Sequence, residues 1–177
     1  MPEGLRYRWL QLRGQVADVA DRYALLHANL DGHECCILNM YAPNTDDEKL
    51  FRVLEQELLP YVGMPILWAC DFICIVDGAL VRCPPRWGTK PRMTARLQEM
   101  MTRMHFVDFW RELIPVSKTY SFYTPAHGAY SMLDRILLAN DGSLTVRRAA
   151  YQVRFLSDYA PLVLECETCP PRPAVPL

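Results

Sequence analysis

The sequence lacks a net charge, a long apolar run and a regular pattern of metal-binding residues. Its 177 residues include 19 Lys and Arg against 20 Asp and Glu, a net charge of −1, which excludes a strong overall attraction to nucleic acid. No apolar run is long enough to cross a membrane, and the first residues contain no apolar segment typical of a secretion signal. We therefore expect an intracellular protein, cytoplasmic or nuclear, in which any anion-binding site is local.

The seven cysteines and four histidines show no spacing typical of a zinc site. Cys166 and Cys169 form one C-x2-C pair, and Cys70 and Cys74 lie near each other in the chain. A structural zinc site needs a second cysteine pair or a histidine pair at ligand spacing. The favoured interpretation is therefore free thiols in a reducing compartment.

The first half of the chain predicts a hairpin followed by a helix. Hydrophobic residues make up 51% of the sequence, enough for the core of one globular domain. Asp31 and Gly32 between two apolar runs predict a tight turn, with a second strand over residues 33–40. Thr45 and Glu48 have the spacing of a capping box, and the leucine repeat after them predicts an amphipathic helix.

Further downstream, strand-like segments become dominant. Residues 64–69 predict a buried strand and residues 94–104 a helix, with a loop rich in Gly, Pro and Arg over residues 77–91. Three later strands are predicted from "TYSFYT", "YSMLDRILLA" and "APLVLECE". We predict a mixed α/β domain over residues 1–168, with sheets covered by helices, and a Pro-rich disordered tail over residues 169–177.

Three carboxylates lie in or beside the apolar strands of this prediction. Asp71 follows the strand over residues 64–69, Asp134 lies inside an apolar run, and Asp158 precedes the last strand. A single carboxylate after a strand is usually a turn former, and one inside an apolar strand costs desolvation unless it is paired. If the three converge at one edge of a sheet, they form an oxygen-rich pocket suited to Mg²⁺ and to the cleavage of phosphate esters.

Four motifs, in this order, carry a resemblance to a known family: "NMYAPN", "WACDFICIVD", "TYSFYTPAHGAYSMLDRIL" and "FLSDYAPLVLE". Their order and spacing resemble the endonuclease/exonuclease/phosphatase superfamily, above all the endonuclease domains of LINE-type non-LTR retrotransposons. The resemblance covers about residues 20–167. It implies an incomplete four-layer α/β/β/α sandwich, a phosphodiesterase that nicks DNA with Mg²⁺, and a retroelement polyprotein that also contains a reverse transcriptase.

The resemblance also assigns roles to individual acidic and polar residues. Tyr41 and Asn44 match positions that contact the scissile phosphate. Asp71 matches the acid that activates water or protonates the leaving oxygen. Asp134 matches the acid that orients the catalytic histidine, and Asp158 matches an acid that helps to hold the metal.

Substrate contacts are predicted at two further places. Ser121 matches a hydroxyl that touches the DNA backbone. A basic stretch precedes it, and this stretch either contacts phosphates or forms a solvated surface, which is the favoured interpretation. Its side chains are Arg82, Arg86, Trp87, Lys90, Arg92 and Arg96.

The sequence departs from the family pattern at positions that matter for catalysis. Ile73 replaces the asparagine of the G-D-F-N motif and has no side-chain donor, and Cys70 replaces the glycine of that motif. Tyr159 replaces the catalytic histidine, and a phenol is a poor base at pH 7. No residue before Tyr41 matches the family's upstream asparagine or its main metal-binding glutamate. We therefore expect Mg²⁺ to be poorly retained.

Three functions stay open on the sequence alone: an impaired Mg²⁺-dependent DNA endonuclease, a nucleic-acid-binding relic without chemistry, and a retroelement fragment without function. Loss of one oriented donor to a transition state costs roughly 10²–10³ in rate. Loss of an acid–base group costs roughly 10²–10⁴. These magnitudes predict little or no catalysis.

Overall fold

The structure is a computed structural model, and it describes residues 10–17, 22–72, 82–83, 90–154 and 157–169. The strands are β1 Leu10–Ala17, β2 Tyr23–Leu30, β3 His33–Tyr41, β4 Ile66–Asp71, β5 Arg82–Cys83, β6 Val107–Asp108, β7 Phe122–Thr124, β8 Ala129–Ser131, β9 Asp134–Ala139, β10 Leu144–Tyr151 and β11 Leu162–Thr168. The helices are α1 Lys49–Leu58, α2 Pro91–Arg103 and α3 Phe109–Leu113, and a 3-10 turn over Leu59–Tyr61 follows α1. Among these residues no helix is long and apolar enough to cross a membrane.

The largest sheet contains six of the described strands in the order β1-β2-β3-β4-β9-β6. Neighbouring strands run antiparallel except β3 and β4, which are parallel. A parallel pair needs a crossover connection, and α1 lies in it. Two smaller sheets pair β10 with β11 and order the remaining strands as β5-β8-β7. The mixed α/β architecture agrees with the prediction from sequence.

The hairpin predicted at Asp31 and Gly32 is confirmed. Strands β2 and β3 pair antiparallel with Leu30 opposite His33. The turn residues Asp31 and Gly32 have φ of 51° and 89°, the left-handed conformation that a two-residue turn between twisted strands requires. The second strand continues one residue beyond the prediction, to Tyr41.

The capping box predicted at Thr45 and Glu48 is wrong. Helix α1 begins at Lys49, and the backbone of Glu48 before it already has φ −80° and ψ −5° without a side-chain cap. Asp47 Oδ1 accepts a hydrogen bond from Lys49 N at 3.0 Å instead. A carboxylate next to the helix start accepts from a free N–H and complements the helix dipole, so Asp47 takes the role predicted for Thr45.

Helix α2 begins at Pro91, three residues before its predicted start, because proline is well suited to the first helical turn. Asp46 accepts hydrogen bonds from Met93 N at 2.9 Å and from Arg92 N at 3.3 Å. A carboxylate from the loop after β3 therefore caps α2. This contact joins segments almost 50 residues apart, which no local pattern predicts.

Several strand boundaries differ from the prediction. The predicted strand in "YSMLDRILLA" is divided into β8 and β9 around Met132 and Leu133. Strand β4 begins two residues later than predicted and ends at Asp71. The prediction lacks β1 and β10, both of which contain arginine and small residues. In β1, the side chains from residue 11 to residue 17 are exposed. Strands that face water lack the apolar run from which strands are predicted.

The main core lies between one face of the large sheet and the helices α1 and α2. Leu25, Leu38, Trp68 and Leu137 stand opposite one another across four neighbouring strands and are buried. Because side chains alternate along a strand, the odd-numbered end residue of β4, Asp71, points to the other face. The alternation thus places the carboxylate away from the core and toward the site described below.

Arg96 does not belong to a phosphate-binding surface. Its guanidinium is buried between α1 and α2, where it pairs with Glu55 and also with Glu99 at 2.7 Å. Arg103 Nη2 lies 2.7 Å from the same Glu55. A buried guanidinium needs such partners to offset its desolvation, so this member of the predicted basic stretch is structural.

Candidate active site

Two of the predicted carboxylates meet at the end of β4. Asp71 is the last residue of β4 and stands directly opposite Asp134, the first residue of β9. Residues opposite each other in an antiparallel pair have Cβ atoms about 4.5–5.5 Å apart. Just beyond the pair, Phe72 N donates to Leu133 O at 2.7 Å, which keeps the two strand ends together. The fold therefore places two acids side by side.

The acid pair is held in surroundings that oppose its negative charge. Burial, and then the Asp134 carboxylate, raise the pKa of Asp71 to about 6, although the Tyr159 hydroxyl and Lys90 act in the opposite direction. Burial also raises the pKa of Asp134. Within the described residues, Asp71 Oδ1 and Asp134 Oδ2 are buried without a hydrogen-bond partner. Such a pair favours binding of a proton or a cation.

Tyr159 contacts the acid pair. Its hydroxyl donates to Asp71 Oδ2 at 3.4 Å, a long hydrogen bond. Its ring packs on Phe122 with centroids 4.7 Å apart, and the two residues form an isolated β-bridge. Burial, followed by the charges of Asp71 and Asp134, raises the pKa of Tyr159 to about 12. The phenol therefore stays protonated at neutral pH.

Ser121 supports the site from inside the protein. It is fully buried, and its Oγ accepts hydrogen bonds from Leu133 N at 2.9 Å and Asp134 N at 3.0 Å. Its carbonyl accepts from Ala160 N at 2.6 Å, next to Tyr159. The resemblance assigns this hydroxyl to DNA, whereas in the structure the hydroxyl holds the segment that carries Asp134, and the Ser121 carbonyl holds the segment that carries Tyr159.

Tyr41 and Lys90 lie at the rim of the site. Tyr41 stands beside Asp71 in the parallel register of β3 and β4 and is 47% exposed. The Arg22 guanidinium carbon lies 5.8 Å from the centroid of the Tyr41 ring. Lys90 Nζ donates to Pro43 O at 2.9 Å. The rim therefore carries two cationic side chains next to the acid pair.

Two further predicted residues, Asn44 and Asp158, lie in the described part of the chain. Asn44 and Asp158 are exposed, and the Asp158 carbonyl accepts from Tyr123 N at 3.2 Å. In the described part of the chain, no three His, Cys, Asp or Glu side chains converge on one point, so the metal-binding role of Asp158 stays a prediction. Ile73 and Arg86 lie outside the described residues.

A cavity of about 640 Å³ opens beside the acid pair, within the size range of small-ligand pockets. Asn39, Ala69 and the pair line one side of it, and Tyr159 and Pro161 lie among its other lining residues. Arg22 also lines the cavity and is absent from the sequence prediction. It reaches the site because Tyr41 N donates to the Arg22 carbonyl at 2.8 Å, a pairing between chain segments that spacing alone does not reveal.

No family model matches the chain, but solved structures match its fold. The AP endonuclease LMAP from Leishmania major has a TM-score of 0.61 and 15% identity, covering 85% of this chain and 55% of its own. D. rerio TDP2, complexed with single strand DNA product, has a TM-score of 0.61 and 13% identity, covering 90% and 69%. The endonuclease domain of TRAS1, a telomere-specific non-LTR retrotransposon, has a TM-score of 0.63 and 9% identity, covering 86% and 68%.

The chain therefore has the endonuclease/exonuclease/phosphatase fold, as the sequence predicts. It spans between 55% and 69% of the length of these three structures. Identities of 9–15% carry the fold and no more. The chemistry of the site must be argued from this chain's own residues.

Replacing Asp71 with asparagine should remove part of the pH dependence of stability. Because the pKa of Asp71 is higher in the folded than in the unfolded chain, this carboxyl contributes to the free energy of unfolding below about pH 3.8. The contribution is lost as the pH rises through about 6. Relative to that of wild type, the free energy of unfolding of Asp71→Asn should rise by about 1 kcal/mol between pH 4 and pH 7, after allowance for partial exposure of the carboxyl. Urea unfolding in EDTA measures this difference.

The exposed turn residue Asp141 provides the matched control. Its Oδ1 accepts from Ser143 N at 2.8 Å, a bond that asparagine can also accept. Asp141→Asn should therefore follow the wild-type pH profile. An Asp71→Asn profile parallel to that of wild type would contradict the prediction.

Proposed function

We propose that this chain is a DNA endonuclease domain of the non-LTR retrotransposon type whose catalysis is impaired or lost. The observation that supports it is the site itself: Asp71 and Asp134 face each other at the end of β4, with the phenol of Tyr159 against Asp71. The order of the sequence motifs supports the retroelement origin and the reverse-transcriptase partner. The fold shared with the TRAS1 endonuclease domain is consistent with that origin.

The site keeps an acid–base group, but the side chain that contacts it is a neutral phenol, and the cationic side chains lie at the rim. Phosphodiester hydrolysis needs a group that accepts a proton from water and donors that stabilise the negative charge of the transition state. With a pKa of about 6, Asp71 is largely ionised at pH 7 and can accept that proton. Tyr159 remains a neutral phenol that donates to Asp71, so it supplies no positive charge to the phosphate.

The resemblance implies Mg²⁺, and the acid pair fits part of its coordination shell. Magnesium sites in such enzymes use one or two carboxylates together with substrate phosphate oxygens and water. Asp71 and Asp134 provide two buried oxygens without a protein partner, while the described residues bring no third acidic ligand. When bound, Mg²⁺ offsets phosphate charge, and we expect it to bind weakly unless phosphate is present.

Nicking of supercoiled plasmid in Mg²⁺ tests the proposal. We expect the wild-type chain to nick no faster than its Asp71→Ala variant, because the side chain in contact with the acid is the neutral phenol of Tyr159. Mg²⁺-dependent nicking that Asp71→Ala abolishes would contradict the proposed loss of catalysis. It would agree with the assignment to the endonucleases. A reverse-transcriptase reading frame directly downstream in the genome would support the retroelement origin.

A second candidate is a nucleic-acid-binding module without chemistry. It is favoured by the cationic rim, where Arg22 lines the cavity and Lys90 lies close enough to lower the pKa of Asp71. Binding through phosphates depends steeply on salt. Retention on DNA-cellulose at low salt, lost at moderate salt, would support this candidate, and no retention at low salt would exclude it.

A further inference from the structure

The hairpin formed by β7 and β8 carries three tyrosines in one cluster, named here the tyrosine patch: Tyr120, Tyr123 and Tyr130. Tyr123 and Tyr130 stand opposite each other in the antiparallel register, with ring centroids 4.6 Å apart. The Tyr120 ring lies 5.6 Å from that of Tyr130. Tyr130 is 41% exposed, and the other two are half-buried. The patch therefore presents aromatic surface to solvent.

Arg154 adds a positive charge to the tyrosine patch. Its guanidinium carbon lies 5.7 Å from the centroid of the Tyr130 ring, and its Nη2 donates to the Tyr120 carbonyl at 3.1 Å. Neither a neutral carbonyl nor a ring cancels the charge of the guanidinium. Flat aromatic faces beside this cation match a ligand that has both flat rings and negative charge.

The patch shares its hairpin with the acid pair. Phe122 precedes Tyr123 and therefore points to the opposite face of β7, where its ring packs 4.7 Å from that of Tyr159. Ser121, just before β7, accepts the hydrogen bond from Asp134 N. The hairpin thus carries Phe122, which packs on Tyr159, on one face, and Tyr123 with Tyr130 on the other.

We propose that the tyrosine patch is a stacking site for the unpaired bases of single-stranded DNA. The choice of ligand rests on the proposed function, which places a phosphodiester chain at the acid pair. In a duplex the base faces are covered by neighbouring pairs, whereas a single strand exposes faces that can stack on tyrosine rings. Arg154 binds the backbone phosphate or stacks in turn, so the patch recognises single strands with little sequence preference.

Fluorescence anisotropy with the full chain tests the stacking site. The probes are a labelled oligothymidylate, an abasic oligomer of the same length, and a duplex, all in EDTA so that no strand is cleaved. We expect wild type to bind the oligothymidylate roughly 10-fold more tightly than the abasic oligomer. Tyr130→Phe should keep this preference because it keeps the ring, and Tyr130→Leu should lose most of it.

Circular dichroism of each variant verifies that it is folded, and Tyr123→Leu gives a second test of the same surface. Equal affinity of wild type for the oligothymidylate and the abasic oligomer would overturn the proposal. So would a preference for the duplex, or a base preference that survives both leucine variants. Because binding is measured in EDTA and nicking in Mg²⁺, failure of the stacking site is distinguishable from failure of the proposed endonuclease.

Discussion

The double variant Tyr159→His, Ile73→Asn should nick supercoiled DNA in Mg²⁺ at least about 10²-fold above the wild-type background. The Tyr159 hydroxyl lies 3.4 Å from Asp71 Oδ2, so an imidazole at this position can lie close to the same acid. An imidazole changes charge near pH 7, whereas the pKa of Tyr159 is about 12. Asparagine at position 73 returns a side-chain donor to the motif.

Two further variants separate the chemistry from the shape of the site. Tyr159→Phe removes the hydroxyl but keeps the ring on Phe122, and it should be as inactive as wild type. Adding Asp71→Ala to the double variant should remove the gain, because the group that accepts the proton from water is then missing. A double variant no faster than wild type would show that these two positions do not limit the rate, and it would favour the binding module.

The two strands that carry the acid pair could be predicted from the sequence because they depend on short-range patterns. Asp31 and Gly32 specify the turn, and the turn sets the register of β2 and β3. The apolar run before Asp71 marks β4, and the run after Asp134 marks β9. Spacing alone left the convergence of the acids conditional, and the resemblance made it the expectation; the pairing of β4 with β9 then places Asp71 opposite Asp134.

The contacts that could not be predicted join distant segments. Asp46 caps α2 rather than a local helix, and Arg96 is buried because Glu55 reaches it from α1. Arg22 lies at the cavity because its carbonyl pairs with Tyr41 N. In each case a local pattern allowed several partners, and tertiary packing selected one of them.

Replacing Trp68 with alanine should lower the free energy of unfolding by about 3–5 kcal/mol. Trp68 is fully buried on β4, and its ring lies 5.3 Å from those of Phe72 and Phe106 and 6.1 Å from that of Phe51. Alanine leaves a cavity among three rigid rings that cannot close it fully. Since domains are stable by about 5–15 kcal/mol, the variant should unfold at much lower urea, measured by far-UV circular dichroism.

Trp68→Phe is the matched control, and we expect it to lose much less stability than the alanine variant. Trp68 Nε1 is buried and has no hydrogen-bond partner among the described residues, and an unsatisfied buried donor costs about 1–3 kcal/mol. Phenylalanine removes that donor while it loses part of the packed volume, so the two effects offset to within about 1 kcal/mol. Equal losses for the alanine and phenylalanine variants would contradict this packing.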